Sequence, residues 1–188
     1  MKKNLVTAVL MTIATTILLG VAYPLLVTGL AQVLFPAKAN GQLITANGRV
    51  IGSRILGQAF TGAGYFHSRP SAVSYDASNS NGSQLGPTNQ KLIDRVKGDV
   101  AALQAENPGA AIPVDMVTTS GSGVDPEITP AAAAFQIHRV AAARGIPADE
   151  LRRLVSEHTQ GRTWGLLGEP RINVLELNLA LDSKYPAR

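Results

Sequence analysis

Residues Leu5 to Pro36 read LVTAVLMTIATTILLGVAYPLLVTGLAQVLFP, and the architecture turns on them. The stretch runs for 32 positions without a charged side chain, where about 20 apolar residues suffice to cross a bilayer. A helix of this composition has no face for water, so a single transmembrane helix is expected over residues 5–36. Gly20, Pro24 and Gly29 are tolerable in such a span, because neighbouring groups re-satisfy the freed backbone. Pro24 is expected to kink the helix or to mark a tightened turn. The surplus length implies tilt, or a helix continuing past the membrane surface. Thr7, Thr12, Thr15, Thr16, Thr28 and Gln32 bond either to partner helices or, more commonly, to their own backbone. A cleaved signal peptide is the competing reading, with Ala37-Lys38-Ala39 as an A-x-A site, but a signal core is only ~7–15 residues long. A buried core helix would need the polar face that is missing here.

Working outward, Lys2 and Lys3 precede the span, while Lys38 and Arg49 follow it. The basic amino terminus predicts that residues 1–4 stay in the cytoplasm and that the bulk of the chain lies outside. Residues 37–48 read as a linker, with Asn and Gly turn signals. Residues 49–188 are then an extracytoplasmic domain, expected to be α/β (α+β). The net charge of +4 is no nucleic-acid signature. Without Lys2 and Lys3 the balance is 15 basic against 13 acidic residues, and the longest basic run is Arg152-Arg153. No aromatic–basic stripe is present for stacking bases. With no cysteine among 188 residues, disulfides, thiolate catalysis and cysteine metal sites are excluded.

Within the domain, Arg49 to Phe60 is β-branched and apolar, cut by Gly52 and Gly57, and predicts one or two short strands. Residues 61–90 lack apolar periodicity, and a loop that long is usually functional or mobile; Tyr65, Phe66 and Tyr75 are its anchors. Thr88 to Glu106 predicts an amphipathic helix with Thr88 as cap and Leu92, Val96, Val100 and Leu103 on one face. Ile112 to Thr119 reads as a strand. Thr129-Pro130 predicts a helix start, and that helix runs to Gly145 with Arg144 in its last turn. A further helix is expected from Pro147, with Asp149 and Glu150 in its first turn, towards Gly161. Asn173 and the alanine–leucine content after it predict a last helix, although Leu175, Leu177, Leu179 and Leu181 also alternate as in a strand.

The glycine-rich TSGSGVDPEITP, residues 119–130, raises the question of a phosphate cradle. A P-loop ends its glycine run with lysine and serine or threonine. Here Val124, Asp125, Pro126 and Glu127 follow, and two carboxylates repel a triphosphate. The dinucleotide fingerprint G-x-G-x-x-G is absent too. Asp125 and Glu127 instead offer a rim that attracts cations, or complement a helix dipole. Ser120 or Ser122 with His67, His138 or His158 would be the raw material of a hydrolase, but neither G-x-S-x-G nor S-x-x-K occurs. His138 is expected as a partly buried packing residue. No His or carboxylate pair has metal spacing.

Several blocks together carry a resemblance: GQAFTGAGYFHSRPSA, SNSNGSQLGPTNQKL, VDMVTTSGSGVDPEITPAAAAFQIHRVAAARG and GEPRINVLELNLALD, with YPLLVTG near the outer end of the span. In this order they resemble the C chain of the potassium-transporting ATPase, the Kdp complex of bacteria. The resemblance implies a non-catalytic accessory subunit of a high-affinity, ATP-driven potassium uptake pump. It is single-pass in the bacterial inner membrane and assists assembly as a catalytic chaperone. The implied partners are a potassium-translocating subunit, a P-type ATPase subunit and a small membrane subunit. ATP is used and K+ is carried by the complex, and no cofactor is assigned to this chain. A body outside the membrane has no reach to cytoplasmic ATP, so any effect on ATP would travel through the helix and the partners. A partner interface is expected at Gly86, Pro87, Thr88, Asn89, Ser120, Gly121, Ser122, Gly123, Asp125 and Glu127, joined by Arg69 and Arg171. The alternative is a membrane-anchored periplasmic sensor or binding module; a secreted hydrolase ranks behind both.

Overall fold

A computed structural model describes residues 2–46 and 48–186. The chain divides into two compact units, residues 1–51 and 52–188.

In the first unit α1 (Lys2–Thr15), a π-helical stretch (Thr16–Ala22) and α2 (Tyr23–Leu34) form one helix. This helix, Lys2–Leu34, contains an 18-residue stretch of mean hydropathy 2.3, none of that stretch is buried against protein, and the helix is long and apolar enough to cross a membrane. Pro24 was expected to kink or tighten the helix, but the helix widens just before it. The proline ring clashes with the carbonyl four residues back, and the π stretch relieves this by bonding one residue further, Tyr23 N–H to the Leu18 carbonyl. Two of the threonine hydroxyls bond to their own helix: Thr12 donates to the Ala8 carbonyl at 2.9 Å and Thr15 to that of Met11 at 2.7 Å. Phe35 leaves the helical region at φ −139° because Pro36 follows it. A single turn, α3 (Pro36–Ala39), comes next, with the Lys38 ammonium 5.8 Å from the Phe35 ring centre. The expected linker thus carries α3 and also β1 (Leu43–Ala46), which pairs with β2 (Arg49–Ser53).

The second unit is helical with a very small sheet. Its helices are α4 (Gln90–Glu106), α5 (Pro130–Arg144), α6 (Ala148–Glu157) and α7 (Val174–Lys184). Strands β3 (Glu127–Ile128) and β4 (Ile172–Asn173) pair antiparallel, Glu127 opposite Asn173 and Ile128 opposite Ile172. The described fold is therefore mixed α and β, with little β. The caps set the helix starts. Thr129 Oγ1 accepts from Ala132 N at 3.0 Å and Asn173 Oδ1 from Glu176 N at 3.0 Å. Gly145 closes α5 at φ +66°, a conformation an L side chain resists. For α4 the cap is Asn89, accepting from Lys91 N at 2.9 Å, and not Thr88. The last helix forms as its cap predicts.

Two expectations fail for packing reasons. Residues 112–119 are no strand. Val114–Met116 form a 3-10 turn after Pro113, and Asp115, Met116 and Val117 are buried consecutively, where a strand would alternate. His138 lies exposed on α5. The core gathers Ile128, Ala132, Ile137, Val140, Leu151, Leu154, Ile172, Leu177 and Leu181 between α5, α6 and α7. Each large apolar side chain taken from water there contributes roughly 1.5–3 kcal/mol. Helix α4 has no fully buried residue, and it is tied on by Arg139 Nε to Glu106 Oε1 at 2.9 Å and by Leu103 against the core.

Candidate functional site

The loop that lacks apolar periodicity is drawn into the core by its one fully buried aromatic, Phe66. Extended backbone there needs partners, and two buried amide side chains supply them. Asn178 Oδ1 accepts from Phe66 N and Asn178 Nδ2 donates to the Phe66 carbonyl, both at 2.9 Å. Gln136 Oε1 accepts from His67 N at 2.7 Å, and its Nε2 donates to the His67 carbonyl at 3.1 Å. The two amides act as a neighbouring strand would. Arg139 Nη1 donates to the carbonyls of Ala63 and Tyr65 at 2.6 and 2.9 Å. Arg144 Nε donates to the Gly64 carbonyl at 2.6 Å, with its guanidinium 4.6 Å from the Tyr65 ring centre. His67 Nε2–H donates to the Gly62 carbonyl at 3.0 Å. Burial lowers the His67 pKa below its usual 6.5, with a smaller push from Arg139, opposed by the Gly62 bond and by Glu106.

This anchored loop delivers Arg69 to an open cleft of about 500 Å³. The cleft is lined by Arg69, Asp125, Glu127 and Arg171, with Asp115 and Thr129 at its base and Gly168 to Pro170 along one edge. Arg69 Nη1 meets Asp125 Oδ2 at 3.2 Å, and Arg171 Nε meets Glu127 Oε1 at 2.9 Å. Asp125 Oδ1 also accepts from Glu127 N at 3.0 Å. Neither carboxylate serves the start of α5. That place is held by buried Asp115, which accepts from Thr129 N at 2.8 Å and Thr129 Oγ1 at 3.2 Å. The cleft walls thus carry charge of both signs, arranged as ion pairs about one-third exposed, each contributing at most about 1 kcal/mol. Opening either pair therefore costs little.

Four of the expected site residues, Arg69, Asp125, Glu127 and Arg171, therefore come together. The glycine loop does not join them in the cleft. Ser120 N donates to the Pro70 carbonyl at 3.1 Å, Gly123 N to Ser120 Oγ at 3.0 Å and Val124 N to Ser122 Oγ at 3.2 Å. Ser80 Oγ donates to the Ser122 carbonyl at 3.0 Å. The amides of Ser120, Gly123 and Val124 are thus spent within the fold rather than offered to a phosphate. Gly123 sits at φ +72°, and a Cβ there would lie 2.5 Å from the Asn81 carbonyl oxygen, so glycine is needed for close packing of two loops. Gly121 and Ser122 remain exposed at the loop's crest. Gly86 to Asn89 are exposed as well, with Asn89 N donating to the Gly86 carbonyl at 3.0 Å, and they form the turn into α4.

Residues 5–183 match the family model for the K+-transporting ATPase, c chain. The chain belongs to this family. It is 67% identical to the potassium-transporting ATPase KdpC subunit of Koribacter versatilis, covering 99% of this chain and 97% of that protein. Identity to the KdpC subunit of Methylorubrum extorquens is 56%, over 93% and 94% of the two chains. To that of Rhodopseudomonas palustris strain BisB18 it is 55%, over 97% and 99%. The single apolar helix fits a membrane anchor for a member of this family. Sequence reasoning missed Asp115, Gln136 and Asn178 as organisers of this C-chain body. Their one signal was polarity inside otherwise apolar runs.

Proposed function

We propose that this chain is the accessory, non-catalytic subunit of an ATP-driven potassium uptake pump. It is held in the membrane by the helix Lys2–Leu34, and its C-terminal unit lies outside the cytoplasm. It works by contact with a potassium-translocating subunit, a P-type ATPase subunit and a small membrane subunit. ATP is consumed and K+ carried by the assembly. The observation that carries the reading is the family match over residues 5–183. The helix supports the anchor, since its 33 residues include an 18-residue stretch of mean hydropathy 2.3, too apolar to stay in water. Lys2 and Lys3 support a cytoplasmic amino terminus. The cleft bounded by Arg69, Asp125, Glu127 and Arg171, with the exposed turns at Gly86–Asn89 and Gly121–Ser122, supplies the contact surface in this reading.

Deleting the chain is expected to abolish potassium-limited growth, and a mild-detergent pull-down on the tagged chain to recover the three partners in fixed proportion. Single cysteines in the C-terminal unit are expected to react with membrane-impermeant maleimide in spheroplasts. Growth without the chain, or a pull-down lacking the partners, refutes the subunit role. Labelling only in inverted vesicles refutes the orientation.

A further inference from the structure

Between α6 and α7 the chain makes an excursion that the core does not require. Residues 161–169 are all exposed, and Gln160 pairs with Arg171, then Thr163 with Leu167, as rungs of a narrow antiparallel ribbon. Gln160 N donates to the Arg171 carbonyl at 2.8 Å and Arg171 N to the Gln160 carbonyl at 3.0 Å. Arg162 Nη2 bridges both Glu169 carboxylate oxygens at 2.7 Å across the stem. The base is anchored, because Ile172 and Asn173 are buried in β4. The tip carries Trp164 at 86% exposure, Leu166 at 79% and Leu167 at 57%.

Soluble surfaces seldom offer a clustered tryptophan and two leucines to water. Trp164 also sits at φ +55°, a left-handed conformation that bulky L residues rarely adopt and that tends to persist at functional positions. The paired stem, with its bridges at Gln160–Arg171 and Thr163–Leu167, holds the tip out from the core.

The charges around the tip indicate what it meets. A ribbon seated on an anionic membrane surface keeps unpaired Lys or Arg beside its apolar tip. Here residues 159–171 contain no lysine, and both arginines are paired, Arg162 with Glu169 and Arg171 with Glu127. A neutralised collar around an aromatic anchor suits a dry protein pocket with an uncharged rim. Gly168 to Arg171 in the same ribbon also edge the ion-paired cleft, so tip and cleft form one continuous face.

We propose that the Trp164–Leu167 tip is a docking wedge that inserts into an apolar pocket on another polypeptide of the pump. This rests on the subunit reading. The test uses the whole purified complex, with a photo-crosslinking phenylalanine analogue at position 164. Crosslinks to a partner subunit are expected; crosslinks to lipid, to a second copy of this chain, or none, overturn the proposal.

Trp164→Ala and Leu166→Ser are expected to weaken association with the partner subunits about 30-fold, the effect of losing a tryptophan hot spot. Because both side chains are exposed, the isolated chain's melting temperature should stay unchanged. Unweakened association of these variants overturns the wedge while leaving the subunit reading standing. Failure of the wild-type chain to associate refutes the subunit reading instead. Since Trp164 is the chain's one tryptophan, 5-fluorotryptophan incorporated in this chain alone gives a second readout. Its 19F resonance should move when partners are added and stay still with anionic vesicles; the reverse pattern overturns the wedge.

Discussion

Replacing Asn178 by alanine tests how the long loop is held. Asn178 is 1% exposed and makes one hydrogen bond to each polar group of the Phe66 backbone, both at 2.9 Å, while Phe66 is 0% exposed. Alanine leaves the Phe66 N–H and carbonyl buried without these partners. An orphaned buried group costs about 1–3 kcal/mol, so the two together give roughly 2–6 kcal/mol. For a chain of this size that is about 4–24 °C in melting temperature. Thermal unfolding of the detergent-solubilised full chain, followed by circular dichroism, reads the total. Hydrogen exchange at the Phe66 amide separates mechanism from magnitude. In Asn178→Ala its protection should collapse locally. In Leu177→Ala, a packing loss of about 2–5 kcal/mol, protection should fall with global stability alone. If Asn178→Ala lies within about 0.5 kcal/mol of wild type, the range of an ordinary surface change, or if the Phe66 amide stays protected, the strand-mimic account is wrong.

Gly123→Ala places a Cβ 2.5 Å from the Asn81 carbonyl oxygen at φ +72°, and should destabilise by more than the ~1 kcal/mol of an ordinary Gly→Ala mismatch; equal urea midpoints would contradict the packing described. Neutralising Asp125 and Glu127 together should leave the Michaelis constant for K+ uptake unchanged, because each carboxylate is already satisfied by an arginine; a raised constant with intact assembly would restore the cation-gathering role. The lowered His67 pKa means the unfolded chain takes up this proton more readily, so its contribution to stability is full above pH 6.5 and is lost as pH falls below it. His67→Gln should therefore flatten the acid limb of the melting-temperature profile, and an unchanged slope would argue against a half-buried imidazole held neutral.

Much of the candidate site was legible only as separate pieces. Arg69, Asp125, Glu127 and Arg171 were each singled out, yet 44 positions separate Glu127 from its partner Arg171, and no local pattern links them. The glycine loop was read as surface, and its glycine at 123 turned out to serve internal packing. Asn89 rather than Thr88 caps α4, since adjacent residues with similar capping chemistry differ only in the backbone angle each adopts. In place of the strand expected at residues 112–119 a 3-10 turn follows Pro113, and its buried Asp115 accepts from Thr129, 14 positions away.

The sequence alone determined what local physics governs: an apolar stretch of 32 residues without a charge, caps at Thr129 and Asn173, a closing glycine at 145, and through its ordered blocks the family. Tertiary structure decided what depends on residues meeting across long chain separations: amides of Asn178 and Gln136 serving as a strand edge for Phe66 and His67, arginines neutralising the carboxylates, and a tryptophan left facing water. A capping bond closes within three residues, so its pattern is written in neighbours. A bond spanning 112 residues, as between Phe66 and Asn178, exists only after the core has formed and fixed both ends.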